Sequence, residues 1–187
     1  MGLIFRTVNK IFVPKIAGIM CLIFLAACKD APKQARTTSH IRMMNEKIIK
    51  YHQGIVASEE QEIVDFIARH RWNMVTLPTG LRYMIYQKGT GKVAKAGWEA
   101  AFNYETRLLT GKLLYSSDST GIKKILLGRG EVERGLEEGL LQMRVGDRAK
   151  LILPSFLAFG LLGDQDRIPP GAILVYDIQL VDLKQMD

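Results

Sequence analysis

The sequence predicts an α+β fold, in which a mainly antiparallel β-sheet wraps around one short helix and two short helices precede the sheet. Three observations predict it. Two stretches with helical periodicity occur before residue 75, β-prone segments separated by turns follow from residue 81, and one further helical stretch lies among those segments. The chain has 187 residues, of which 48% are hydrophobic. This composition suits one domain of roughly 100 to 150 residues with an appendage.

Residues 1–27 have the pattern of a secretory signal peptide, in which basic residues precede an apolar run. The run is shorter than the about 20 residues that a membrane span needs. The sequence LAAC that ends at Cys28 resembles the lipobox of bacterial lipoproteins, whose cysteine is acylated after cleavage. We therefore expect lipid attachment at Cys28 and a location in the cell envelope. Lys29, by resemblance to lipoprotein sorting rules, favours the outer membrane, with the periplasmic face preferred over the cell surface; the alternative is a plain signal peptide with a chance cysteine.

Charge and cysteine usage exclude several classes of function. The formal net charge is +7, and loss of the three basic residues of the leader would leave +7 − 3 = +4, scattered among acidic residues, so we expect no nucleic-acid partner. Both cysteines, Cys21 and Cys28, belong to the leader and the lipobox, which leaves no disulfide or thiol nucleophile in the mature domain. The three histidines stand at no metal-ligand spacing, and neither a metal nor a cofactor is expected.

Residues 28–40 lack apolar periodicity and predict a lipidated flexible tether. Residues 41–75 predict a helical prefix of two helices. The first has apolar residues at spacings of three and four, namely Ile41, Met44, Ile48 and Tyr51. The second begins at residues 58–61, whose sequence SEEQ matches a capping box. This prefix either packs on the domain or serves as a dimerisation or partner-docking element, and the sequence leaves both open.

Residues 80–187 predict the globular domain. Its strand-forming segments are 81–86, 98–108, 125–127, 148–153 and 173–183, and its helix is 133–143. Gly89-Thr-Gly91 has no strand-to-helix context and does not predict a phosphate site.

Five ordered segments of this domain carry a family resemblance. They are FNY (102–104), LGRGEVERGLEEG (127–139), MRVGDRAK (143–150), AFG (158–160) and IPPGAILVYDI (168–178). Together they resemble the FK506-binding-protein (FKBP) domain over roughly residues 80 to 185. With the lipobox and the prefix, the chain further resembles the FKBP-like lipoproteins associated with gliding motility in Bacteroidetes. The resemblance implies an FKBP-like fold and a peptidyl-prolyl cis/trans isomerase that assists folding of exported envelope proteins, with proline-containing polypeptides as clients and no cofactor.

The resemblance also implies the site residues. The catalytic residues would be Tyr104, Phe159, Ile168 and Tyr176, and the substrate-binding residues Leu114, Val132, Glu133 and Leu136. The backbone amide at Ile168 would receive a substrate carbonyl. An X–Pro bond isomerises slowly because amide resonance opposes rotation with a barrier of about 18–20 kcal/mol. A dry apolar pocket that binds the twisted amide better than the planar one would lower that barrier.

Four positions depart from the family pattern. Family members commonly have Trp where Leu136 stands, Tyr where Phe159 stands, Asp where Tyr115 stands and an aromatic residue near Lys123. Leucine still excludes water, so we expect reduced rather than abolished binding of proline, and reduced activity. A non-catalytic FKBP-like binding or assembly module of an envelope machine is the alternative function.

Overall fold

A computed structural model of the chain describes residues 33–186, and its side chains from residue 41 onward. The predicted signal peptide and Cys28 lie outside the described residues. The chain divides into two compact units, Met1–Tyr51 and His52–Asp187. Within the first unit the structure describes one helical segment, on which the side chains of Ile41, Met44 and Ile48 are about half exposed.

A single helix, α1, occupies Lys33–His70. The helical prefix is therefore confirmed, but its two predicted helices are one continuous helix, which also includes residues 33–40 of the predicted tether. Gly54 lies between the two predicted helices, and one interior glycine costs only about 1 kcal/mol relative to alanine. None of the helices in the described part of the chain is long and apolar enough to cross a membrane.

The second unit contains a seven-stranded sheet. The strands are β1 (Val75–Thr76), β2 (Arg82–Gln87), β3 (Trp98–Leu108), β4 (Leu113–Ser116), β5 (Lys123–Leu126), β6 (Arg148–Leu153) and β7 (Leu174–Gln185). The helices are α2 (Ser117–Thr120) and α3 (Arg134–Leu140), with 3₁₀ turns at Ser155–Leu157 and Gly160–Leu162. Strand order is β1-β2-β6-β7-β3-β4, with β5 also paired to β3, and every pairing is antiparallel. The predicted α+β, FKBP-like fold is confirmed.

Helix α3 packs on one face of the sheet, where its glycines allow a close approach. A Cβ atom added to Gly139 would lie 2.3 Å from Cδ1 of Leu151, and one added to Gly135 would lie 2.6 Å from Cγ of Leu153. The main core forms here, from α3 and the inward residues of β3, β6 and β7. This face carries the candidate site.

The C-terminal part of α1 covers the opposite face of the sheet. Ile63 and Phe66 pack there in a second cluster with Ile152, Ile173 and Val175. The predicted capping box is wrong, since residues 58–61 lie inside α1. Two of its glutamates bind the domain instead: the carboxylate of Glu59 accepts bonds from the amide (2.9 Å) and hydroxyl (2.5 Å) of Ser155, and Glu60 forms an ion pair with the buried Arg82.

Candidate active site

Two tyrosines on neighbouring strands form the aromatic part of the site. Tyr104 lies on β3 and Tyr176 on β7, with ring centroids 6.5 Å apart. Tyr176 is 3% exposed, whereas Tyr104 is only partly buried. The ring of Phe102 lies next to that of Tyr104, with 6.0 Å between the ring centroids. The strands thus place a buried ring beside one that solvent reaches.

The entrance to α3 supplies the next group of site residues. Leu136 is 1% exposed, and Val132 packs partly buried against the same core. The Tyr176 hydroxyl donates to Oε1 of Glu133 at 3.0 Å. The other carboxylate oxygen of Glu133, Oε2, is buried and has no hydrogen-bond partner among the described residues. Burial, followed by the nearby charge of Glu133, raises the pKa of Tyr176 well above its ordinary value, so this hydroxyl keeps its proton at neutral pH.

The segment between Phe159 and Ile168 forms another wall of the site. The Phe159 ring packs against the main core, and Ile168 is 4% exposed. The amide of Ile168 donates to Oδ1 of Asp164 at 2.7 Å. This amide is therefore engaged within the protein, and a substrate carbonyl would have to displace Asp164 to reach it. The sequence predicted that the Ile168 amide binds a substrate carbonyl, and it did not predict this hydrogen bond to Asp164.

Asp164 also connects this segment to β4. Its Oδ2 atom accepts a hydrogen bond from the Tyr115 hydroxyl, and its Oδ1 atom accepts a second amide, that of Asp166, at 3.0 Å. The bond to Asp164 raises the pKa of Tyr115 to about 12, with burial as the next cause. Burial opposes ionisation of Asp164, but bonds from Tyr115 and from backbone amides outweigh it and lower the pKa of this carboxyl. The Tyr115 hydroxyl therefore has its own hydrogen-bond partner, Asp164, at the position where family members commonly have an aspartate.

Charged side chains line the rim. The Nζ atom of Lys123 lies 5.7 Å from the centroid of the Tyr104 ring, a cation–π geometry. Leu114 is 3% exposed, and its carbonyl accepts a bond from Arg167 at 3.0 Å. Lys123 thus contacts Tyr104 directly at the position where the resemblance implied an aromatic residue.

The structure brings the predicted site residues together. All except Glu133 belong to the α3-side core or pack against it, and Glu133 reaches that core through Tyr176. Sequence reasoning missed Asp164, although an aspartate that accepts bonds from amides two and four residues on is an Asx-type turn signal. No group of three or more His, Cys, Asp or Glu side chains in the described part of the chain is placed to hold a metal ion.

The arrangement defines a class of site. Leu136, Ile168 and Tyr176 are buried, and Tyr104, Val132 and Phe159 are partly buried, in one apolar cluster between the sheet and the short helix. A recess lined by these six residues would suit a neutral, apolar segment of polypeptide better than a charged small molecule. The fold is that of an FKBP-like domain.

A comparison with family models assigns the domain directly. The model described as FKBP-type peptidyl-prolyl cis-trans isomerase matches residues 91–181. These residues are just under half of the chain, and they are similar to the FKBP-type peptidyl-prolyl isomerase family.

Curated relatives match over the same domain. FK506-binding protein 4 of Dictyostelium discoideum is 37% identical over 113 residues, which are 60% of this chain and 31% of that protein. The chloroplastic peptidyl-prolyl cis-trans isomerase FKBP16-3 of Arabidopsis thaliana is 32% identical over 119 residues, 61% of this chain and 53% of that protein. The chain thus spans about a third and about half of these relatives' lengths.

Solved structures share the fold. A peptidyl-prolyl cis-trans isomerase from Pseudomonas syringae pv. tomato superimposes with a TM-score of 0.62 at 26% identity, covering 71% of this chain and 96% of that one. FkpA from Escherichia coli superimposes with a TM-score of 0.61 at 27% identity, covering 91% of this chain and 80% of that one.

Proposed function

We propose that this protein is a peptidyl-prolyl cis/trans isomerase that acts on X–Pro bonds of polypeptides. The observation that supports this most strongly is the apolar cluster in which Tyr176 and Leu136 are buried and Tyr104 is partly exposed, inside the range that the family model matches. We propose that these residues line the recess that binds proline.

The chemistry needs no covalent step. Rotation about the X–Pro bond breaks amide resonance, so the amide dipole is smaller in the twisted state than in the planar one. A recess that excludes water therefore disfavours the planar amide more than the twisted amide. Each 1.36 kcal/mol of this difference raises the rate about tenfold. Leu136 supplies the apolar floor in place of a larger aromatic ring, which reduces the contact area with proline and supports a modest rate.

We further propose that the backbone amide of Glu133 receives a carbonyl of the bound peptide. The Ile168 amide is occupied by Asp164, whereas the Glu133 amide, at the entrance to α3, has no hydrogen-bond partner within residues 33–186. Its φ of −56° lies in the range of proline. Glu133→Pro therefore removes the donor, and Glu133→Ala is the matched control that removes the same side chain. We expect the KM of the proline variant to exceed that of the alanine variant about tenfold, and equal KM values in two folded variants would exclude this donor.

The central experiment is an isomerisation assay on residues 29–187, with refolding of a proline-limited protein as the readout. The test variant is Tyr104→Ala, together with the double variant Tyr104→Ala/Tyr176→Ala. Phe156→Ala is the matched control, because Phe156 is an aromatic residue that is 51% exposed and lies outside the recess residues. Acceleration that Tyr104→Ala weakens and Phe156→Ala leaves intact is the expected result. A folded wild-type fragment without any acceleration would refute the proposal.

We propose that α1 provides a dimer interface. Ile41, Met44 and Ile48 are 54%, 49% and 48% exposed, and their spacing of three and four residues is that of a coiled-coil seam. The occupant that fits such a seam is the same helix of a second copy. Met44→Glu should shift the species in sedimentation equilibrium towards monomer, whereas Lys47→Glu, an exposed change on the same helix, should not. A wild-type protein that is monomeric at high micromolar concentration would contradict this interface.

We propose that the protein is lipid-anchored at Cys28 in the cell envelope, most simply on the periplasmic face of the outer membrane, and that it assists the folding of exported proteins, including those of gliding motility. The lipobox sequence and the family resemblance support this location. Wild-type chain should incorporate labelled palmitate and fractionate with membranes, and Cys28→Ser should do neither. Loss of motility in a deletion strain, restored by wild type and not by Tyr104→Ala, would support the motility role.

A second candidate, a non-catalytic binding or assembly module, is favoured by the Asp164 contact that occupies the Ile168 amide. A partner that copurifies with wild type, is lost when residues 41–75 are deleted and is retained by Tyr104→Ala would support this candidate.

A further inference from the structure

The segment from Gly160 to Ile168 borders the site, yet apolar burial does not hold its middle in place. Leu161 and Leu162 are 50% and 76% exposed. The segment includes a residue with positive φ, Gln165 at 63°, a conformation that carries a cost for residues other than glycine. Polar contacts must therefore fix its path.

Those contacts converge on Asp164 and reach β4. One oxygen of Asp164 accepts the amides of Asp166 and Ile168, at 3.0 Å and 2.7 Å. The other accepts the hydroxyl of Tyr115, which also donates to Oδ2 of Asp166 at 3.3 Å. The guanidinium of Arg167 lies 5.3 Å from the centroid of the Tyr115 ring. The side chain of one β4 residue thus contacts three residues of the segment.

We infer that Tyr115 and Asp164 are positioning residues that hold the 160–168 segment as a preformed wall of the isomerase site. Phe159 precedes the segment and Ile168 ends it, so its path sets the separation of two site residues. This inference rests on the proposed isomerase function for its kinetic consequence, but not for its structural one. Tyr115 acts through the segment and does not contact the twisting bond.

A preformed wall affects binding more than the chemical step. If the wall must be ordered each time a peptide binds, the free-energy cost of ordering it is the same for the planar and the twisted substrate. KM therefore rises while kcat stays nearly constant. A partly unfolded variant would behave in the opposite way, because a smaller active fraction lowers kcat at unchanged KM. The two kinetic constants therefore separate positioning from loss of fold.

The test compares Tyr115→Phe with a matched control, Tyr86→Phe, in the full chain. Tyr86 also donates its hydroxyl to an aspartate, Asp177, at 2.6 Å, outside the residues of the recess. We expect Tyr115→Phe to raise KM about tenfold with kcat within about twofold, and Tyr86→Phe to leave both unchanged. Asp164→Asn, which keeps an acceptor, should recover most of the affinity that Asp164→Ala loses.

Hydrogen exchange at the Ile168 amide supplies a readout that does not depend on activity. Exchange should be slow in wild type and in Tyr86→Phe, and at least tenfold faster in Tyr115→Phe. If wild type is active and Tyr115→Phe matches Tyr86→Phe in KM and in exchange, the positioning inference is wrong while the isomerase proposal stands. If wild type is inactive, the isomerase proposal fails, and the exchange comparison alone decides whether Tyr115 holds the wall.

Discussion

Replacement of Tyr176 by phenylalanine should destabilise the domain by about 2 kcal/mol. The hydroxyl donates to Oε1 of Glu133 at 3.0 Å. Hydrogen bonds to charged groups contribute about 1.5–3 kcal/mol each in net terms. Because Oε2 of Glu133 already lacks a partner among the described residues, Tyr176→Phe leaves a buried carboxylate without this donor.

Equilibrium unfolding in urea measures this loss, and an unchanged m-value would show that the denatured state is not affected. For a domain of this size the corresponding fall in Tm is about 5–10 °C. The double variant Tyr176→Phe/Glu133→Leu removes both partners, so it should be more stable than Tyr176→Phe alone by about 1 kcal/mol. The phenyl ring keeps the apolar floor intact, and kcat/KM of the folded Tyr176→Phe should stay within about threefold of wild type.

A loss below about 0.5 kcal/mol in Tyr176→Phe, the size of an ordinary surface substitution, would refute this reasoning. The reasoning would also be refuted if the double variant lost more stability than the sum of the losses in the two single variants. That sign of coupling would mean that the two side chains do not stabilise each other.

Three further outcomes are expected. Glu59→Ala should cost about 2 kcal/mol in urea unfolding, because it removes the acceptor of two bonds from Ser155; no change would mean that this part of α1 contributes nothing to the domain. Gly139→Ala should lower the free energy of unfolding by about 1–2 kcal/mol, since the clash with Leu151 outweighs the gain in helix propensity; a stabilised variant would contradict the close packing. Because folding raises the pKa of Tyr115 from 10.0 to about 12, its contribution is complete below pH 10 and is lost as pH rises through about 12, so the stability difference between wild type and Tyr115→Phe should shrink between about pH 10 and about pH 12.

The sheet could be predicted because its strands carry strong local signals. Alternation from Phe102 to Leu108 and the turn at Gly111 define β3 and its end within a residue or so. Helix α1 was predicted in two parts because a capping pattern and a glycine are local signals for a boundary. Whether such signals end a helix depends on contacts with residues distant in sequence. Glu59 accepts a hydrogen bond from the Ser155 amide, and no local pattern predicts this contact.

The composition of the site could be predicted by resemblance, and its hydrogen bonds could not. Tyr104, Tyr176 and Leu136 lie together as their motifs implied. The acceptor of the Tyr176 hydroxyl and the partner of the Tyr115 hydroxyl depend on tertiary distances between segments far apart in sequence. Departures from a family pattern therefore predict that a contact is missing, but not which new contact replaces it.

Strand β7 imposes an order on how the domain is made. It joins β6 on one side to β3 on the other, so the sheet consists of two halves with no direct pairing between them. Because β7 spans Leu174–Gln185, the two halves cannot be joined until these residues have been synthesised. Closure of the sheet should therefore be a late event in folding, and a chain truncated before Leu174 should leave both halves with an unpaired edge.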